Sequence, residues 1–168
     1  MRKHLPKLVT LIVAAGTSGW LFASGFDARG LPVVDHKAWR QECASCHTAF
    51  HPGLLPERSW RKLMDGLDRH FGENASLDAA SRKAITDFLA ANAADRLDAR
   101  RARKIAASIP AGTVPLRISE SPWFVRKHDE LSAAVWQRKS IGSRANCGAC
   151  HPGADQGGFS EHDIRIPR

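Results

Sequence analysis

The chain has 168 residues, a net charge of +8, five tryptophans and no tyrosine. Loss of residues 1–25 would remove three basic residues and no acidic one, which lowers the charge to +5 (8 − 3). A basic chain can bind nucleic acid, but basic and aromatic residues are not interleaved here in the way that such binding favours. The sequence therefore predicts no nucleic-acid partner. Its length allows one domain or two small ones.

Residues 1–25 have the form of an export signal. A basic stretch at residues 2–7 precedes an apolar run at 8–15, and the small residues at 23–25 (ASG) can form a cleavage site. The apolar run is interrupted at 16–19 (GTSG), so it is short for a membrane-spanning helix of about 20 residues. We predict export to a bacterial periplasm after cleavage. An uncleaved N-terminal anchor is the alternative.

The first predicted helix runs from Asp35 to His47, with Asp35 as its N-cap. A second runs from Glu57 to about His70 and is stopped by Gly72. Its apolar residues recur with helical spacing and form one stripe, which consists of Trp60, Leu63, Met64, Leu67 and Phe71.

A third helix is predicted from its cap at Asp78 to about Asn92, with Ile85, Phe88 and Leu89 facing inward. Residues 95–104 are rich in arginine and can extend a solvated helix, whereas the Pro/Gly stretch that follows is typical of a linker. The interval 95–120 as a whole is predicted to be the linker between two domains.

Ser121 as N-cap and Pro122 at the first helical position predict a new helix that carries His128. The chain beyond Cys150 has several Gly and Pro residues and is expected to be largely irregular. Because no segment alternates as a strand does, the sequence predicts a mainly α fold.

Two copies of Cys-x-x-Cys-His, at residues 43–47 and 147–151, use all four cysteines of the chain. This is the attachment pattern of a c-type haem, in which two thiols add to the haem vinyl groups and the adjacent imidazole binds the iron. Structural zinc would require the pairs to lie closer together in sequence, and a thioredoxin-like motif would need a βαβ context. The motifs therefore predict two covalently bound c-type haems. The attaching residues are Cys43, Cys46, Cys147 and Cys150, and the iron-binding histidines are His47 and His151.

These motifs divide the chain into predicted parts. They are a signal peptide at 1–25, a haem 1 domain at 26–94, the linker at 95–120 and a haem 2 domain at 121–168. The last has 48 residues, a size at which a polypeptide core alone is marginal. We expect the haem to supply the missing apolar core, so that this part does not fold without it.

The ligand on the other face of each iron decides the chemistry, because a closed iron transfers electrons whereas an open one can bind small molecules. After residue 25 the chain has one methionine, Met64, so two His/Met haems are excluded. Met64 lies in the apolar stripe and favours core packing. The remaining candidates are His36, His51, His70, His128 and His162.

The chain resembles the dihaem cytochrome c family of bacterial periplasmic proteins from about Trp39 to Pro167. The resemblance rests on stretches of residues around and between the motifs. They are ECASCH at 42–47, PGLLP at 52–56, RSW at 58–60, HFGENASLD at 70–78, PWF at 122–124, KH at 127–128, NC at 146–147, CH at 150–151 and IRIP at 164–167.

The resemblance implies a class I cytochrome c-like first unit with bis-histidine ligation of both haems. His70 and His128 match the family's distal positions, so we expect His47 with His70 at haem 1 and His151 with His128 at haem 2. A crossed arrangement between the two units is the structural alternative. The resemblance to the family also implies partners, namely a small oxygen-binding monohaem cytochrome or a b-type membrane cytochrome. Membrane contact would come only through a partner or an uncleaved N-terminus.

The predicted function is electron transfer at low potential, without an enzymatic site, since two imidazoles lower the potential relative to His/Met ligation. One alternative is a haem enzyme or gas-binding protein with one five-coordinate iron. Another is a membrane-anchored module that receives electrons from a quinol oxidase complex.

Overall fold

The fold is mainly α, as predicted. A computed structural model describes residues 30–168, so the predicted signal at 1–25 lies outside the described residues. Within 30–168 no β-strand is formed. The α-helices are α1 Lys37–Cys43, α2 Glu57–Asp65, α3 Ala79–Ala91, α4 Arg100–Ser108, α5 Pro122–Lys127 and α6 Ala133–Trp136.

The start of α1 differs from the prediction by one residue. The N-cap is His36, not Asp35, because the His36 ring nitrogen Nδ1 accepts a hydrogen bond from the Trp39 backbone N–H at 3.2 Å. Asp35 instead forms an ion pair with Arg40 at 2.8 Å. The helix ends at Cys43, so the first attachment motif begins on its last residue.

The prediction that α2 continues to His70 was wrong, because the helix ends at Asp65. Gly66 is its C-cap, and glycine is a poor residue for continuing a helix. A short 3₁₀ segment, Leu67–Arg69, follows and ends at His70. This break removes Phe71 from the apolar stripe and leaves 46% of it exposed.

The first half of the described chain packs around one set of buried residues, the first apolar cluster. The predicted cap at Asp78 is confirmed, since its carboxylate accepts hydrogen bonds from the Ala80 and Ser81 backbone at the start of α3. Helix α3 packs on α2 and α1. The cluster consists of Trp39, Ala49, Leu55, Trp60, Met64, Ile85, Leu89 and Ala93.

The interval 95–120 contains α4, which has a buried side. Ala102 and Ile105 are less than 2% exposed and belong to a second apolar cluster. That cluster consists of Leu31, Leu54, Ala94, Ala102, Ile105 and Ile109. Arg58 holds the following Pro/Gly stretch by donating to the carbonyls of Pro110 and Thr113. Helix α4 therefore contacts both halves of the chain, and the domain boundaries stay a prediction.

The second half is built from short elements. The predicted cap at Ser121 is confirmed, because its Oγ accepts from the Phe124 backbone N–H at the start of α5. The chain after Cys150 contains two 3₁₀ turns and no α-helix. Arg138 donates to the Pro167 carbonyl at 2.7 Å, which holds the end of the chain against this unit. No helix within 30–168 has the length and apolarity that a membrane crossing needs.

Candidate functional site

The thiols of both attachment motifs are free rather than joined in disulfides. Burial raises the pKa of the Cys43 thiol to about 11 and also raises the pKa of Cys147 and Cys150. Each motif therefore offers two unpaired thiols next to a histidine, which are the groups that thioether attachment of a haem uses.

At the first motif, His47 and His70 face each other. Their ring centres lie 6.1 Å apart and their planes differ by 24°. The Phe50 ring stacks on His47 at 4.8 Å, and Leu63 and Leu67 lie against the adjoining first apolar cluster. This brings together two imidazoles that are 23 residues apart (70 − 47).

At the second motif, His151 and His128 form the corresponding pair. Their ring centres are also 6.1 Å apart, but their planes differ by 81°. Phe124 stacks on His128 at 4.0 Å, and Phe159 meets the edge of the His151 ring at 5.4 Å. The two pairs share one separation and differ in ring orientation, so the two sites are not equivalent.

In two of the histidine rings, a hydrogen bond made by Nδ1 determines which nitrogen is available to bind a metal. The Nδ1 atom of His47 donates to the Thr48 carbonyl at 2.7 Å, and that of His128 donates to the Phe124 carbonyl at 2.8 Å. In each ring this leaves Nε2 with its lone pair, which is the form that binds a metal. Burial is the main cause of the lowered pKa of His70 and His151, so the rings of these two residues are neutral at pH 7.

A cavity of about 200 Å³ lies beside the second pair. Its wall carries the attachment cysteines Cys147 and Cys150 as well as both histidines. Most of the rest of the wall is apolar and includes Leu54, Ile105, Trp123, Phe124, Leu131, Trp136, Phe159, Ile164 and Ile166. Its cationic side chains are Arg101, Lys127 and Arg144. The wall also carries the acidic Glu130 and Glu161, and its apolar part suits a flat apolar ring system.

Both sites fit a haem. Two imidazoles that bind one iron from opposite faces at about 2 Å have ring centres roughly 6 Å apart. Both observed pairs have this separation. His47 and His70 would hold one haem iron, and His151 and His128 the other. Each motif histidine thus faces its expected partner rather than one from the other unit.

The other candidate ligands have different surroundings. His36 caps α1 and stacks on Phe88 at 5.0 Å. His51 is buried and uses both ring nitrogens, donating to the Pro32 carbonyl and accepting from the Gly53 N–H. His162 is exposed, and Met64 is buried in the first apolar cluster.

Of two residues near His70, Phe71 was predicted only as part of the apolar stripe of the second helix, and Arg117 was not singled out from the sequence. Phe71 contacts the His70 ring at 4.8 Å, and Arg117 lies over the Phe71 ring at 4.0 Å. The Arg117 contact joins residues 46 positions apart (117 − 71), so no local pattern could reveal it. The adjacent Gly72 was a signal, because it was expected to end a helix at this point.

Comparison with known proteins identifies related sequences and structures. A family model described as dihaem cytochrome c matches residues 39–159. A dihaem cytochrome c structure from Rhodobacter sphaeroides has 49% identity and a TM-score of 0.68, covering 76% of this chain and 99% of its own. One from Shewanella baltica has 33% identity and a TM-score of 0.63, covering 77% and 91%. No match was found among curated proteins.

Proposed function

Because this chain belongs to the dihaem cytochrome c family and carries two covalent c-type haems, we propose that it is a periplasmic electron carrier whose two haems are both closed by histidine pairs. The proposal rests on one observation: each motif histidine faces a second imidazole across the distance that a six-coordinate iron requires.

The protein's contribution is to hold the ligands of each iron. When bound, each haem supplies one-electron chemistry at its iron. His70 and His128 occupy the position at which a small molecule would otherwise enter. The carbonyls of Thr48 and Phe124 keep His47 and His128 oriented and make their imidazoles stronger donors. Strong imidazole donation on both faces favours the ferric state, which supports a low reduction potential.

Location and partners are part of the same proposal. Haem attachment to free thiols is typical of proteins outside the cytoplasm, and the signal-like segment at 1–25 supports a periplasmic site. N-terminal sequencing of the exported protein tests whether that segment is cleaved. Redox proteins, such as a small oxygen-binding monohaem cytochrome or a b-type membrane cytochrome, are proposed as partners.

Carbon monoxide tests whether both irons are closed. We expect the spectrum of the dithionite-reduced protein to be unchanged when carbon monoxide is added. His70→Ala and His128→Ala should each convert about half of the haem to the adduct, since each variant opens one of two irons. His162→Ala, at an exposed histidine, is the matched control and should behave as the wild type.

Two results would contradict the proposal. If half of the haem in the wild type bound carbon monoxide rapidly, one iron would be open, and a gas-binding or enzymatic role would replace the carrier role. If neither His70→Ala nor His128→Ala gained high-spin character, the distal ligands would be other residues.

A further inference from the structure

Phe71 adopts a backbone conformation that is unfavourable for its side chain. Its φ of 54° is the one positive value of a non-glycine residue within 30–168. A bulky residue in this region is strained and persists where its surroundings hold it. The turn is held by a hydrogen bond from the Glu73 N–H to the His70 carbonyl, and Gly72 has φ of 104°. The strain therefore lies next to a proposed iron ligand.

Arg117 packs against the ring of Phe71. Its guanidinium carbon lies 4.0 Å from the centre of the Phe71 ring, and Phe71 in turn presents its ring to His70 at 62°. A guanidinium over an aromatic face is attractive, and here the ring is half exposed. Arg117 thus lies over the face of Phe71, and Phe71 meets His70 edge-on, so the three side chains form a continuous line of contacts.

The positive charge of Arg117 lies close to His70. The guanidinium carbon is 4.0 Å from the Phe71 ring centre, and that ring centre is 4.8 Å from the centre of the His70 ring. The charged groups near Arg117 include Glu120, whose carboxylate lies 3.5 Å from the Arg117 Nε. That carboxylate is 64% exposed, so water screens much of its effect.

The same arginine begins the segment that leads to the second iron site. Arg117 is the N-cap of the 3₁₀ turn Ile118–Glu120, which is followed directly by Ser121. Ser121 caps α5, and His128 is the C-cap of that helix. Arg117, which contacts Phe71, and the distal histidine of the other haem are therefore 11 positions apart in the chain (128 − 117).

We propose that Arg117 is a positioning residue for haem 1: through Phe71 it holds the His70 ring toward the iron, and its charge raises the haem 1 potential relative to what the histidine pair alone would give. This proposal rests on the proposed function, since it takes His70 to be the distal ligand. A nearby cation disfavours the ferric haem, which carries one more positive charge than the ferrous haem.

Redox titration of the holoprotein tests the charge. Arg117→Gln removes it, and we expect the equilibrium constant for haem 1 reduction to fall about fourfold to tenfold, with less than a twofold change at haem 2. Arg117→Lys keeps the charge and should restore at least half of this shift. In the titration, the reduction step of haem 1 is identified as the one whose potential changes in His70→Ala.

Arg69→Gln is the matched control, because Arg69 lies next to His70 and its side chain is 87% exposed. Arg69→Gln removes one positive charge but leaves Arg117, Phe71 and His70 unchanged. We therefore expect less than half of the change in the haem 1 reduction equilibrium that Arg117→Gln causes. Equal shifts in the two variants, equal shifts at both haems, or an Arg117→Lys variant that behaves like Arg117→Gln would overturn the proposal.

Carbon monoxide binding tests the positioning. Phe71→Leu removes the aromatic face and should let a fraction of haem 1, and none of haem 2, bind carbon monoxide. A Phe71→Leu protein with both irons fully closed would overturn the positioning role. Failure of the proposed function would look different, because His70→Ala would then leave both haems low-spin.

Discussion

The histidines of this protein differ in which ring nitrogen is left free to bind a metal. His47 and His128 each donate Nδ1–H to a backbone carbonyl, and this leaves Nε2 for a metal. His51 has the opposite arrangement, because its Nδ1 accepts from Gly53 and its Nε2 donates to Pro32. A buried ring with both nitrogens satisfied is structural, and protonation would break the bond from Gly53.

Because His51 is buried, we expect the free energy of unfolding to fall in mild acid. Burial lowers its pKa below the usual 6.5, so below about pH 6.5 the unfolded chain binds a proton that the native state does not. Stability should therefore fall as the pH drops from about 7 toward 5, with a slope from this residue of at most about 1.4 kcal/mol per pH unit. Denaturant unfolding of the holoprotein at several pH values measures it.

His51→Gln should flatten this pH dependence, because glutamine offers a donor and an acceptor but does not titrate. His162→Gln, at an exposed position, is the control and should keep the wild-type slope. An unchanged slope in His51→Gln would show that other groups cause the loss. Acidic residues with lowered pKa values, such as Glu57 and Asp78, act in a more acidic range.

At the level of elements, the turns after the two motifs meet at one close contact. Gly157 has φ of 76° and lies in the chain that follows the second motif, and a Cβ placed there would be 2.9 Å from the His51 Cδ2. Leu31 Cβ would lie 3.3 Å away. The haem 1 side and the haem 2 side therefore approach each other where only glycine fits.

Gly157→Ala should cost more stability than Gly142→Ala. Both glycines have positive φ, 76° and 71°, so the backbone cost of about 1 kcal/mol is shared. Nothing lies within 4 Å of a Cβ at Gly142, whereas the one at Gly157 meets His51, which adds about 1–3 kcal/mol. Denaturant unfolding compares the two free energies. Equal losses would mean that this contact relaxes without cost.

At the level of the whole molecule, the two halves differ in how much core the polypeptide provides. The first apolar cluster contains two tryptophans and six other buried residues. In residues 121–168 the buried hydrophobic residues are Phe124, Ile141 and Ala154. A unit with so few buried side chains cannot offset its conformational entropy by packing alone.

The second half should therefore depend on its haem for folding. We expect Cys147→Ala/Cys150→Ala to lose protease resistance and helicity within 121–168, while residues around the first apolar cluster stay protected. Limited proteolysis with mass spectrometry maps the cuts. Cys43→Ala/Cys46→Ala is the reciprocal variant and should lose less, because that half has its own core. Full protection of 121–168 without attached haem would contradict this expectation.

Features carried by adjacent residues could be predicted from the sequence. The two haem attachments need only two thiols and an imidazole within five residues, so their chemistry is complete in each motif. The caps at Asp78 and Ser121 are equally local, because each side chain bonds to the backbone two or three residues ahead. The mainly α fold follows from the spacing of apolar residues.

Tertiary structure decided what depends on distant parts of the chain. Which histidine faces His47 is set by the end of α2 at Gly66, and the stack of Arg117 on Phe71 is set by the path of residues 95–120. The buried side of α4 likewise becomes apparent only when both halves pack against it. Attachment to haem is a local property of five residues, whereas closing the iron requires two segments to be held a fixed distance apart, and only packing provides that.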